Sequence, residues 1–175
     1  RQRQAVEPPA DIDDRQAVLV QAHAHSAGDI VLQNLEQVDD KQALTDWNRE
    51  LFSELKLSVP EHMAFKSGDG LEIEGWILKP TEHKQGTKSP LILQIHGGPH
   101  SAYGYGLQHE WQLMAAKGYY VLYMNPRGSS GYGQAFRHMV VGDWGGKDYE
   151  DLMHGVDYAL DHYPLIDKER MFVTG

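Results

Sequence analysis

The chain has 175 residues, 41% of them hydrophobic, enough for the packed core of one globular domain, or of one domain and part of a second. Lys and Arg number 16 against 25 Asp and Glu, a formal charge of −9, which is the wrong sign for a surface that neutralises phosphates and excludes nucleic acid as an expected partner. The lack of cysteine removes disulfides, thiolate metal sites and a cysteine nucleophile and points to a reducing, cytoplasmic setting, while no apolar run approaches the ~20 residues of a membrane helix, so no membrane partner is expected.

Residues Arg1 to Arg15 read as a polar, proline-containing lead-in without a signal-peptide core. Ala17 to His25 then reads as a strand, "SAGD" as a turn, and Ile30 to Leu35 as the antiparallel partner. Two short strands cannot bury a core alone, so they belong to a sheet whose other strands lie elsewhere. In "LTDWNRELFSELKL", Thr45 or Asp46 is placed to cap a short helix in which Leu51, Phe52 and Leu55 form a packed face. After Pro60, His62 to Lys66 and Leu71 to Leu78 flank Asp69-Gly70, a strong hairpin signal.

From Pro90 onward strands alternate with helices. Leu91 to Ile95 suits a strand buried on both faces; Leu107, Trp111, Met114 and Ala115 share a helical face, with Gly118 as the stop. Tyr119 to Met124 is the next buried strand and "NPRGSSGYG" a loop. Leu152, Val156, Ala159, Leu160 and Tyr163 mark a helix over Asp148 to Tyr163, and "RMFVTG" opens another strand. The pattern predicts an α/β fold with a mainly parallel sheet opened by an antiparallel hairpin.

The stretch "QIHGGPHSAYG" places His96, Gly97, Gly98 and Pro99 directly after a buried strand, at the sheet edge where ligands bind in such folds. Adjacent glycines weaken a strand end, and their use is to let backbone N–H groups face a cleft without side chains in the way. Pre-aimed N–H donors are what stabilise the oxyanion of acyl transfer. Strand, His-Gly-Gly, helix, strand, loop, helix, strand is also the order in which an α/β-hydrolase presents its oxyanion loop before its nucleophile elbow.

"HGGPH" at 96 to 100, "NPRGSSGYG" at 125 to 133, "DWGGKDYEDLMHGVDYAL" at 143 to 160 and "FVTG" at 172 to 175 together resemble the prolyl oligopeptidase family of serine peptidases, in its acylaminoacyl-peptidase and dipeptidyl-aminopeptidase-like branch. "DGLEIEGWILKP" and "LTDWNRELFSELKLSVPE" extend the resemblance backward. It implies residues 1–59 as the last strands of a β-propeller with a linker, and residues 60–175 as the N-terminal part of an α/β-hydrolase domain. It also implies a serine-type peptidase acting on short peptides through an acyl-enzyme, without cofactor or metal, and open to homo-oligomer formation. By the same resemblance Gly98 supplies an oxyanion N–H. Gly175 matches the first glycine of the Gly-x-Ser-x-Gly-Gly elbow, which puts the nucleophile two positions after this sequence and the Asp and His of the triad further on. An oxyanion loop without that triad is expected to show no peptidase activity by itself. The rival readings are a carboxylesterase of the same fold and an inactive binding module.

Other residues have bland readings. His96 is expected to order the loop through a hydrogen bond and Gly97 to permit the chain's path. Arg127 is expected to tie loops together, with the holding of a peptide carboxylate as its alternative. Tyr103 and Tyr105 either line a pocket or pack on the following helix. The ten histidines show no third ligand at a recognised metal spacing, and Asp148 and Asp151 favour a helix N-terminus without a catalytic task.

Overall fold

The computed structural model describes residues 15–24, 26–82 and 86–175; the expected lead-in up to residue 14 and His25 lie outside the described residues. Two compact units are present, one holding Arg1–Lys56 with Tyr105–Leu107, the other holding Leu57–Gly104 with Gln108–Gly175.

The first unit is a three-stranded antiparallel sheet of β1 (Gln16–His23), β2 (Ser26–Asn34) and β3 (Lys41–Ala43), in that order, followed by helix α1 (Arg49–Glu54). Two details differ from expectation. "SAGD" is not the turn but the start of β2, because pairing with β1 takes it into the ladder although Ser26 Oγ donates to Asp29 Oδ2 and accepts the Gly28 N–H, a local turn-like pattern. Thr45 and Asp46 do not cap α1. The Thr45 hydroxyl accepts the Ile30 N–H and donates to Asp29, which fastens the chain to β2, and Asn48 takes the N-cap position without a side-chain bond. The expected packed face is absent too, since α1 buries no residue and Leu51 and Leu55 are exposed.

The second unit is α/β. The hairpin of β4 (Glu61–Lys66) and β5 (Glu72–Leu78) closes over Asp69-Gly70, then β6 (Ser89–Gln94), α2 (His109–Ala116), β7 (Tyr120–Asn125), α3 (Gly133–His138), α4 (Lys147–His162) and β8 (Ile166–Thr174) follow. The sheet order is β4-β5-β7-β6-β8. Pairings β6–β7 and β6–β8 are parallel, β4–β5 and β5–β7 antiparallel, so the sheet is mixed rather than mainly parallel, because β5 joins the edge of β7 head to tail. The chain leaves β6 toward β7 on one side and returns past it to β8 on the other. Right-handed crossovers in opposite directions require their helices on opposite faces.

The side chains of β7 show that division residue by residue. Tyr120, Leu122 and Met124 enter a core with Ile73, Ile77, Leu152 and Ala159, while Val121 and Tyr123 enter a second core with Trp76, Leu78, Trp111 and Ala115. Alternation with period two on a fully buried strand places α4 on the first face and α2 on the second. Helix α2 ends as the sequence predicts: Gly118, with φ +93°, donates to the Ala115 carbonyl and Tyr119 N–H reaches the Met114 carbonyl, a Schellman closure. Helix α3 starts at the last glycine of the predicted "NPRGSSGYG" loop and has no counterpart among the predicted elements. Strand β8 starts earlier than "RMFVTG" because a bulge at 167–170 is closed by the Asp167–Arg170 pair, which gives a polar stretch the look of a loop.

Gly75 in β5 lies where the sheet leaves no room: a Cβ would meet Met124 Cβ at 2.8 Å and the Tyr123 carbonyl oxygen at 3.0 Å. Although alanine ordinarily favours a strand over glycine, Gly75→Ala is expected to destabilise the intact protein by about 1–3 kcal/mol through overpacking, read from its urea unfolding midpoint.

Candidate active site

The parallel strands β6, β7 and β8 end on the same edge of the sheet, and the loops that leave them meet there. Sheet pairing continues one step beyond β6, where the Ile95 N–H donates to the Thr174 carbonyl at 2.9 Å, and Gly175 abuts the Ile95 carbonyl so closely that a side chain would collide with it. The end of β8 therefore lies directly beside the start of the His96-Gly97-Gly98 loop.

Gly98 has φ +125°, and a Cβ on it would sit 2.7 Å from the His100 nitrogen and 2.9 Å from that of Ser101. Both the conformation and the space demand glycine. The residue is exposed and its N–H, among the described residues, donates to no protein group. Gly97 is different: its φ lies outside the left-handed region and a Cβ would meet nothing within 4 Å, so what glycine provides there is open space over the loop. Pro99 follows through a cis peptide bond.

The loop after β7 holds this one in place. His96 Nδ1 faces the Gly97 carbonyl at 3.0 Å and must donate to it, which leaves Nε2, 2.9 Å from Ser129 Oγ, as the acceptor of the neutral ring. The single Ser129 hydroxyl proton is shared between that nitrogen and the Pro126 carbonyl at 2.7 Å. His100 Nδ1 donates to the Gly128 carbonyl, Ser130 Oγ to the His100 carbonyl, and Ser130 N–H to the Ser101 carbonyl. Tyr103 packs edge-on against Trp111 of α2 and Tyr123, at 4.9 and 5.6 Å between centroids. Of the two readings for Tyr103, packing on the following helix is the one observed, whereas Tyr105 is exposed.

Behind these loops lies a charge cluster. Arg127, only 4% exposed, donates from Nε and Nη2 to Asp151 at 2.8 and 2.7 Å, and from Nη1 and Nη2 to Asp69 at 2.8 and 3.1 Å. Its backbone N–H also donates to Asp151, at 2.9 Å. Four of the five guanidinium donors are thus committed to carboxylates. Asp151 is fully buried on α4, and its task is this pairing rather than service to a helix N-terminus; the signal that sequence reasoning lacked was its distant partner. The Arg127 hydrogen bonds hold the Asp69 carboxyl far below the usual carboxylate range, and the two carboxylates push the guanidinium above its ordinary value. Asn125, buried at the end of β7, is a second residue that sequence reasoning missed. It bonds the Tyr103 backbone and the Tyr132 hydroxyl.

Of the expected site residues, His96, Gly97, Gly98 and Pro99 thus share one loop. Arg127 stands on the adjoining loop with its guanidinium on α4 and the β4–β5 turn. Among the described residues no group of three or more His, Asp or Glu is placed to hold a metal, and no helix is long and apolar enough to cross a membrane. His154 and His162 each turn Nδ1 onto a carbonyl of their own helix.

Comparison with known proteins places the sequence among known peptidases. The model of the prolyl oligopeptidase family matches residues 105–175, from just after the Gly98 loop to the end of β8. The peptidase YuxL of Bacillus subtilis (strain 168), itself uncharacterized, is 48% identical over 136 residues, covering 78% of this chain and 21% of that protein. The chain belongs to the prolyl oligopeptidase family. Dipeptidyl-peptidase 5 of Schizosaccharomyces pombe is 36% identical over 117 residues, 66% of this chain and 17% of the relative. Among solved structures, the acylaminoacyl peptidase of Pyrococcus horikoshii superposes with a TM-score of 0.85 at 40% identity, over 93% of this chain and 26% of that one. The chain spans about a fifth of the length of these curated family members.

Two outcomes are expected from the charge cluster. Replacing the fully buried Asp151 leaves Arg127 paired with Asp69 alone and weakens its charge-assisted bonds, so Asp151→Asn is expected to cost the intact protein about 2–3 kcal/mol, measured by denaturant unfolding. For Asp69 the folded-state pKa lies below the unfolded one near 3.9. Its ionised form therefore contributes stability at and above neutral pH, and that contribution fades as pH falls below about 4 toward the folded value. The stability difference between the wild type and Asp69→Asn should accordingly be constant from pH 6 to 8 and shrink progressively below pH 4.

Proposed function

We propose that the intact protein is a serine-type peptidase of the α/β-hydrolase fold that cleaves short peptides, releasing an acylamino acid or a dipeptide from the N-terminus. The observation that carries this reading is the Gly98 N–H, unpaired among the described residues, on an exposed glycine of the loop whose start, at Ile95, lies beside the end of β8. A serine two positions after Gly175 would attack a substrate carbonyl lying over the Gly97–Gly98 turn. As the carbonyl carbon becomes tetrahedral its oxygen gains negative charge, which the Gly98 N–H, already oriented by the loop, would stabilise by donating a hydrogen bond to it without reorganisation. Collapse of the intermediate expels the amine and leaves a serine ester that water then hydrolyses. Open space over Gly97 supports access by a carbonyl. The three-stranded antiparallel sheet of the first unit fits the end of a propeller blade.

The names of the related proteins, a dipeptidyl-peptidase and an acylaminoacyl peptidase, support the peptide class over simple esters. Labelling of the intact protein by a fluorophosphonate and turnover of an acyl-peptide in preference to a short-chain ester are the expected results. Preference for the ester would make it a carboxylesterase, and absence of labelling would make it a binding module. Gly98→Ala, which displaces the loop and its N–H, is expected to lower kcat by about 100- to 1,000-fold in a folded protein.

A further inference from the structure

Asn125 is the last residue of β7 and only 1% exposed. A carboxamide taken so far out of water requires partners for both its ends. Its Oδ1 accepts the Tyr103 N–H at 2.8 Å, and its Nδ2 donates to the Tyr103 carbonyl at 3.0 Å and to the Tyr132 hydroxyl at 2.7 Å. The side chain thus binds both polar groups of one residue's backbone, as a neighbouring strand would. Tyr132 then donates its own proton to Glu74, whose other oxygen faces His62 Nε2 at 2.8 Å. That bond selects one orientation of the carboxamide. With the Tyr132 proton given to Glu74, the hydroxyl can only accept from Asn125, so a flipped amide would oppose oxygen to oxygen there and at the Tyr103 carbonyl, and N–H to N–H at Tyr103. Burial and the bond to Glu74 raise the Tyr132 phenol to about 12, so this arrangement persists across the working range of pH.

Tyr103 lies five residues beyond Gly98 in the segment that leads from β6 to α2. That segment is held at its start by the sheet bond from Ile95 to Thr174, and again at Tyr103 by Asn125. The geometry points to Asn125 as a positioning residue: its carboxamide pins the Tyr103 backbone so that loop 96–104 presents the Gly98 N–H to the reacting carbonyl, with Tyr132 and Glu74 keeping the carboxamide turned correctly. The inference rests on the peptidase reading for its catalytic consequence, and on the hydrogen bonds alone for the loop.

The test uses the intact protein and three variants, Asn125→Ala, Asn125→Asp and Tyr132→Phe, with two measurements on each. Amide hydrogen exchange over residues 96–104 reads the loop without requiring activity. In Asn125→Ala it is expected to speed up about tenfold or more, with kcat on an acyl-peptide down about 10- to 100-fold and KM within about threefold. Asn125→Asp keeps the bond from the Tyr103 N–H but cannot donate, and falls between Asn125→Ala and wild type. Tyr132→Phe leaves the clamp on Tyr103 and shows the smallest effect. A residue that served stability alone would lower the melting temperature without separating kcat from KM. Unchanged exchange over 96–104 together with unchanged kcat in folded Asn125→Asp overturns the proposal, and that variant decides the matter if Asn125→Ala does not fold. A wild-type protein that neither cleaves peptides nor takes up a fluorophosphonate overturns the peptidase reading, while exchange still judges the clamp.

Discussion

The buried Arg127 is the contact on which the other features of the second unit depend. It draws together the β4–β5 turn through Asp69, helix α4 through Asp151, and its own loop through the backbone N–H that the same Asp151 accepts. Burying a cation with an anion, here Arg127 with Asp151, adds little net stability, because desolvation offsets most of the attraction. What it supplies is geometry. Guanidinium and carboxylate meet in a planar fork that tolerates little displacement, so the loop after β7 has one position relative to the helix and the turn.

From that loop the constraint passes to the next. Ser129, Gly128, Ser130 and Asn125 together bond His96, His100, Ser101 and Tyr103, so the His-Gly-Gly loop is held by its neighbour nearly along its length. A loop of this kind could not present a fixed N–H by its own sequence, since glycine is the residue whose backbone is least restricted in the unfolded chain. The conformational freedom that lets Gly98 adopt φ +125° is removed by bonds made elsewhere. In the oxyanion role proposed for it, such an N–H is effective because it need not move when charge appears. The ion cluster, the loop-to-loop hydrogen bonds and the unpaired N–H thus form one mechanical sequence from core to surface.

Local signals foretold a good part of this. Asp69-Gly70 announced its hairpin, Gly118 its helix end, and the His-Gly-Gly stretch its place after a buried strand, because each depends on residues within a few positions of one another. Signals failed where a distant partner overrode local chemistry. Ser26 to Asp29 has the composition of a turn and is drawn into β2 by pairing with β1. Thr45 has the chemistry of a cap and spends its hydroxyl on Ile30 and Asp29. Helix α3 begins among glycines, and its sole buried side chain, Phe136, has a weak periodic signal of its own.

By itself the sequence determined the alternation of strands and helices in the second unit, the two-faced burial of β7 and the place of the His-Gly-Gly stretch after a buried strand, since these follow from residue type and spacing. Only the tertiary structure decided that Asp151 pairs with Arg127, that Asn125 grips Tyr103 across 22 positions, and that Gly175 comes to rest against Ile95. Those contacts join segments far apart in the chain, and no pattern within one segment carries the free energy that selects them.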